Sequence, residues 1–208
     1  MKMIAFVGFK DAGKSTAAIP LIGQGHVPFS FADALKDCLA SIFCWPRPML
    51  EGDTPESRAW REQADPFWAA KLDIPGFTPR MAMQRFGTDI MRNHFNPNIW
   101  VYAIERRLSL LPPDRNAVLT DCRYPNEIAV ARTYGGEVYR IRKGEEPDWY
   151  QVARDANLDG NQHLRDILQT TYGVHESEYA WIGSDLDGII ENNGSKADLY
   201  RRVLTLCT

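Results

Sequence analysis

The sequence lacks any uninterrupted apolar run of about 18 residues, the length a membrane-spanning helix needs. It opens on a short apolar strand rather than on a basic segment followed by a hydrophobic stretch. A soluble, unexported, cytoplasmic protein with no membrane partner is the expectation. Excess positive charge is also missing: 24 basic side chains stand against 27 acidic ones, for a net charge of -3. There is therefore no overall field to draw in a nucleic-acid backbone, and no nucleic-acid partner is expected. Cysteine is sparse. Cys38, Cys44, Cys122 and Cys207 show no CxxC pairing, and His26, His94, His163 and His175 do not fall at zinc-ligand spacings near them. Reduced thiols in a cytosolic setting fit this usage. Internal repeats and low-complexity tracts are absent too.

What is present is enough for a core. At 208 residues and 44% hydrophobic content, the chain can bury one core and carry an excursion from it. The apolar run Met3 to Val7 predicts a strand, and Gly13 to Ile22, rich in helix formers, predicts the helix after it. Val27 to Phe31 predicts a second strand, followed by a helix over 34–43 that Asp33 can cap. From Trp45 to Pro79 the composition shifts to proline, charge and tryptophan, with one helix around 56–64. Thr78-Pro79 is a helix-start signature, and that helix extends to about His94. A further helix is expected over 98–111, strands over 116–120 and 137–142, and between them a helix over 125–134 stopped by Gly135-Gly136. Leu186 to Glu191 predicts a last strand, and Ser195 caps a closing helix over 196–206. Strands alternate with helices, as in an α/β fold with a parallel sheet. The polar stretch 143–181 is too long for an ordinary connector and reads as a mobile lid. The expected layout is a single domain with its core in 1–44, 112–142 and 182–208, a helical substrate-binding region at 45–111 and the lid.

Directly after the first strand stands Gly8-Phe9-Lys10-Asp11-Ala12-Gly13-Lys14-Ser15. A phosphate cradle needs backbone N–H groups aimed inward, hence glycines, with a lysine for the β- and γ-phosphates and a hydroxyl for Mg²⁺. Gly8, Gly13, Lys14 and Ser15 supply these, so ATP and Mg²⁺ are the expected donor and metal. Lys10, Asp11, Ala12 and Thr16 complete the loop. Thr120-Asp121 ends a predicted strand, where P-loop proteins hold a carboxylate near the metal. Arg123 and Glu127 follow within a turn, although an ordinary helix-capping cluster would look similar.

Four further segments make the chain resemble the bacteriophage deoxynucleoside monophosphate kinase family over nearly its whole length. They are Phe31 to Lys36, Met83 to Asp89 continuing to Trp100, Asp121 to Glu127, and Glu191 to Ser195. The resemblance implies transfer of the ATP γ-phosphoryl group to a deoxynucleoside monophosphate, on a three-layer P-loop kinase fold with a five-stranded parallel sheet. Where the family often has Arg-Pro-Gly, this chain has Arg142-Lys143-Gly144. His175-Glu176-Ser177-Glu178 resembles a His-x-Ser-Glu element of the same family and of phosphomevalonate kinases.

The acceptor is already a phosphate with a second pKa of about 6, so no strong general base is needed and cations should dominate the site. Lys14 is assigned to the ATP phosphates, Arg123 and Arg85 to the acceptor phosphate, and Arg142 or a lid arginine to the transferring group. Ser15 and Asp121 are assigned to Mg²⁺, and Asn193-Gly194 to the adenine. Asp33, Lys36, Phe86, Asp89, Trp100 and Glu127 complete the substrate set. Arg85 and Asp89 also have the spacing of a helical ion pair, and Trp100 and Phe86 the look of core residues. The competing reading is a P-loop kinase for dephospho-coenzyme A or phosphomevalonate. A GTPase or a nucleic-acid-dependent ATPase fits less well: no Asn-Lys-x-Asp motif occurs, and the one late Asp-x-x-Gly is Asp185 to Gly188. Base preference, selectivity for deoxyribose and homodimerisation are left open by the sequence.

Overall fold

The computed structural model describes residues 2–207. The chain forms two compact units: one runs to Ser30 and resumes at Leu108, the other is the continuous stretch Phe31–Arg107. Helix 33–43, grouped with the core in the sequence reading, thus belongs to the second unit.

The first unit holds one sheet of strands β1 (Met3–Val7), β2 (Val27–Phe29), β3 (Ala117–Leu119), β4 (Glu137–Arg142) and β5 (Gly188–Glu191). All pairings are parallel and the order is β2-β3-β1-β4-β5, so β1 is central. Its five residues are all apolar and all buried, as a strand covered on both faces requires. Ile4 and Phe6 join Ala17, Ala18 and Leu21 of helix α1 (Lys14–Gly23) and Leu199 and Val203 of helix α11 (Lys196–Leu204) in one core cluster. Alternation sends Met3, Ala5 and Val7 to the other face, where they are equally buried. Helix α7 (Pro125–Thr133) packs against β1 and β4. Each large side chain buried here contributes about 1.5–3 kcal/mol.

Strand β2 stops at Phe29, two residues short of the expectation. The Phe29 carbonyl accepts from the Thr120 amide at 3.0 Å, and Ser30 turns out of the sheet to bond Asp121. The segment 143–181 folds as three helices, α8 (Tyr150–Leu158), α9 (Gln162–Thr170) and the short α10 (Glu176–Tyr179). It has a small core of its own, with Ala153, Ala156 and Leu168 fully buried. At the end of the chain Ser195 caps α11 reciprocally with Asp198, as its position predicts.

The second unit is helical: α2 (Asp33–Phe43), a 3₁₀ turn Arg47–Leu50, α3 (Pro55–Arg61), α4 (Pro66–Leu72), α5 (Pro79–Gln84), a π-helix Arg85–Phe95 and α6 (Ile99–Leu108). Helix α4 was not foreseen; Asp65 caps it and Pro66 starts it. Asp33 is the first helical residue of α2 rather than its cap, because its carboxylate is taken by Arg107 at 3.1 Å and Arg47 at 3.5 Å. The helix begun at Thr78-Pro79 has the expected length, but beyond Gln84 it changes to i→i+5 bonding, as in Asn96 N–H to Met91 carbonyl at 2.8 Å. A physical reason lies at Gly87. The buried Trp100 Nε1 donates to its carbonyl at 2.9 Å, and a Cβ there would meet Leu35 at 2.8 Å, so the widened helix sits close against α2.

Among the described residues no helix is long and apolar enough to cross a membrane, and Cys38, Cys44 and Cys122 are free thiols.

Candidate active site

Residues 8–15 leave the carboxyl end of the central strand and enter α1. Gly8 has φ 138° and Gly13 φ 99°, values open to glycine but strained for other residues. A Cβ on Gly8 would also lie 2.5 Å from the Ile141 carbonyl oxygen, so the loop's first residue rests directly on β4. Lys14 is buried at 8% exposure, and its Nζ donates to the Gly8 carbonyl at 2.7 Å and the Phe9 carbonyl at 2.8 Å. Burial, and then the charge of Arg123, lowers its pKa to about 8, against the pull of Glu178, Asp121 and Asp11. Ser15 is exposed at the start of α1, next to Thr16.

Beyond β3, Asp121 accepts from Ser30 Oγ at 2.6 Å. Arg123 donates to Glu178 Oε1 at 2.9 Å and to the Ser177 carbonyl at 3.3 Å. Burial alone would lower the Arg123 pKa, yet Glu178, with Asp121 and Glu127, holds it above its ordinary value. Glu127 is 1% exposed and turned inward: its Oε2 accepts the backbone N–H of Arg123 at 2.6 Å and of Tyr124 at 3.2 Å. That geometry fixes the Arg123 backbone at the start of α7, whereas the sequence reading places Glu127 on the substrate. Cys122 is buried between them, and burial raises its thiol pKa well above the usual range, which makes it a poor nucleophile.

Across the sheet edge, Asn192 Nδ2 donates to the Ala12 carbonyl at 2.7 Å, tying the turn after β5 to the loop. Asn193 Oδ1 accepts from the Gly144 amide at 2.7 Å, and Gly194 follows it into the cap of α11. Arg142 pairs with Glu191, its register partner across β4 and β5, and this bond raises its pKa.

The candidate residues of the second unit have their own arrangement. Arg85 and Asp89 are exposed on the π-helix, and no ion pair joins them. An i→i+5 pattern takes residues four apart out of the stacking that an α-helix gives them. Phe86 is half-buried and Trp100 is 5% exposed. Lys36 bonds Glu51 at 2.6 Å in a network with Arg47 and Asp37. This network, with Asp33 in it, orders α2 and the 3₁₀ turn.

Sequence reasoning left out Ser30, Ser177, Glu178 and Asn192. Glu178 had a signal in the His175-x-Ser177-Glu178 element, and Asn192 one in the quoted terminal turn. Ser30 had none, because its role depends on strand pairing.

The site has the donor set that a nucleotide triphosphate and its metal require. The loop presents helix-start N–H groups and a buried lysine, and Ser15 and Asp121 carry oxygens of the kind a hard cation takes. Among the described residues no cluster of three or more His, Cys, Asp or Glu could hold a metal alone. One or two protein oxygens suffice for Mg²⁺ that arrives on substrate phosphates. A phosphate loop on the central strand of a five-stranded parallel sheet, with a cationic pair beside it, defines a P-loop phosphotransferase.

The family model described as deoxynucleotide monophosphate kinase matches residues 69–155. A protein of Acanthamoeba polyphaga mimivirus, provisionally named a deoxynucleotide monophosphate kinase, is 30% identical over 209 residues, covering 93% of this chain and 100% of its own. The chain belongs to the deoxynucleotide monophosphate kinase family. Among solved structures, dephospho-CoA kinase from Campylobacter jejuni is 16% identical with a TM-score of 0.44, covering 99% of this chain and 96% of its own. TT1252 from Thermus thermophilus is 17% identical with a TM-score of 0.44, covering 99% and 95%.

Proposed function

We propose that this protein transfers the γ-phosphoryl group of ATP to the phosphate of a deoxynucleoside 5′-monophosphate, giving the diphosphate and ADP. The observation that carries the reading is the buried Lys14 within electrostatic reach of Arg123, with Glu178 and Asp121 around them at the carboxyl edge of the sheet. The buried Lys14 and the half-buried Arg123 repel each other, which adds to burial in lowering the Lys14 pKa. Phosphate oxygens entering between them would relieve that repulsion.

In the proposed division of labour, Lys14 and the loop amides hold the donor phosphates, and Arg123 holds the acceptor phosphate in line. Arg142 leaves Glu191 to meet the transferring group. Ser15 and Asp121 hold Mg²⁺, which supplies charge neutralisation on the phosphates when bound. Ser30 keeps Asp121 turned toward that position. Asn193 and Gly194 meet the adenine through their backbone. Arg85, with Phe86 and Asp89, reads the acceptor nucleotide, and segment 143–181 covers the reactants and brings Arg154 or Arg165 to them.

The test is incubation of the purified protein with Mg·ATP and each of the four deoxynucleoside monophosphates, with the diphosphate quantified chromatographically. Conversion of at least one is expected. No turnover with any of them, alongside turnover of dephospho-coenzyme A, would overturn the reading.

A further inference from the structure

Arg140 lies on β4 beside Val7, one residue before the loop begins, and only 4% of it is exposed. Its guanidinium carbon sits 5.3 Å from the centre of the Phe9 ring, 5.1 Å from that of Tyr150 and 5.0 Å from that of Trp181. Nη2 donates to Glu146 at 2.6 Å and Nη1 to the Tyr150 hydroxyl at 3.2 Å, while Nε is buried without a hydrogen-bond partner. The Phe9 ring also meets Trp149 and Trp181 edge-on, each at 5.3 Å.

Stability alone is a poor reason for this arrangement. A buried guanidinium with an unsatisfied N–H is costly, and an apolar side chain of similar volume would fill the same room without that cost. What the arginine adds is a cation shared by three rings, which fixes their positions together. One of those rings belongs to the phosphate loop. The Phe9 carbonyl accepts from Lys14 Nζ and, at 3.2 Å, from the Ala12 amide, so the orientation of this peptide sets where Lys14 rests.

We propose that Arg140 is a positioning residue for the phosphate loop: its aromatic cage anchors Phe9, and through Phe9 the Lys14 ammonium, to the segment carrying Trp149, Tyr150 and Trp181. The role rests on ATP being the donor. It makes the two ends of segment 143–181 and the loop one mechanical piece, so that disturbing the cage is felt in donor binding before acceptor binding.

The experiment measures ATP affinity calorimetrically, together with kcat and both KM values, in Arg140→Met, Arg140→Lys, Phe9→Leu and the double variant Phe9→Leu/Arg140→Met. In Arg140→Met the Kd for ATP should rise by about tenfold, a size between that of an exposed and that of a fully desolvated cation–π contact. The KM for the monophosphate should change by less than about twofold, and Arg140→Lys should recover most of the loss. Phe9→Leu should weaken ATP similarly, and the double variant should be no worse than the weaker single one. Wild-type ATP affinity in folded Arg140→Met or in Phe9→Leu, or additive losses in the double variant, would overturn the proposal. So would equal losses for donor and acceptor. If Arg140→Met does not fold, Phe9→Leu decides alone. Failure of the wild type to bind ATP would instead refute the donor assignment on which the role rests.

Discussion

Lys14 should be a residue whose removal destroys activity and changes stability in a pH-dependent way. Its pKa of about 8 lies below the ordinary 10.5 because it is held charged in a buried place. That gap corresponds to about 3 kcal/mol of native-state cost for the charged form. The folded protein releases the Lys14 proton near pH 8 and the unfolded chain only near pH 10.5, so between those values the unfolded state binds more protons and stability rises with pH. Below pH 8 the cost is present in full. Lys14→Met keeps the volume and removes the charge, but it leaves the Gly8 carbonyl without its donor, at about 1–2 kcal/mol. The variant should therefore exceed the wild type by about 1–2 kcal/mol at pH 7 and fall below it by a similar amount near pH 10.5. Urea unfolding of both proteins at several pH values reads the difference directly, and kcat should drop by about 10²–10³. A stability difference that is flat from pH 7 to 10.5, or that moves the other way, would refute the reasoning.

Arg123→Ala should raise the KM for the monophosphate by at least about tenfold while the ATP Kd stays near wild type; collapse of ATP affinity alone would show that Arg123 serves the other phosphate. Glu178→Gln removes a carboxylate that supports the charge on Lys14, so the alkaline limb of kcat/KM for ATP should move to lower pH; a limb that stays in place would disconnect Glu178 from Lys14. Gly8→Ala places a Cβ against the Ile141 carbonyl at a φ that costs about 1–3 kcal/mol, and should lower the melting temperature and abolish ATP binding; an unchanged ATP Kd would contradict the loop geometry. Trp100→Phe keeps a ring in the second unit but loses the bond to Gly87, and should cost about 1 kcal/mol in urea unfolding; no loss would mean that this bond does not hold the π-helix.

The phosphate loop was legible in sequence because backbone geometry demands glycine and lysine at fixed offsets, whatever surrounds them. The strands were legible from their patterning: β1 and β3 are wholly apolar, as buried parallel strands are, and β4 mixes polar with apolar residues in an alternating manner. The π-helix was not, since Arg85 to Phe95 has ordinary helical composition and its widening follows from Trp100 bonding Gly87 and Leu35 pressing on the same residue. Glu127 read as a ligand because a carboxylate beside Asp121 and Arg123 suits either role, and only its 1% exposure and its two backbone amides settle its orientation. Glu178 and Arg140 depend on contacts between segments distant in the chain, which no local pattern records. Asp33 failed as a cap for the same reason, since Arg47 and Arg107 compete for its carboxylate.

The place of β1 in the sheet has a consequence for biosynthesis. Its two partners begin at Ala117 and Glu137, after the whole Phe31–Arg107 unit. An emerging chain therefore presents Met3–Val7 and its phosphate loop well before either partner strand exists. Closing so long a loop before any sheet contact forms is slow and leaves an apolar strand open to wrong pairings. The strand that carries the phosphate loop therefore waits on partners made long after it.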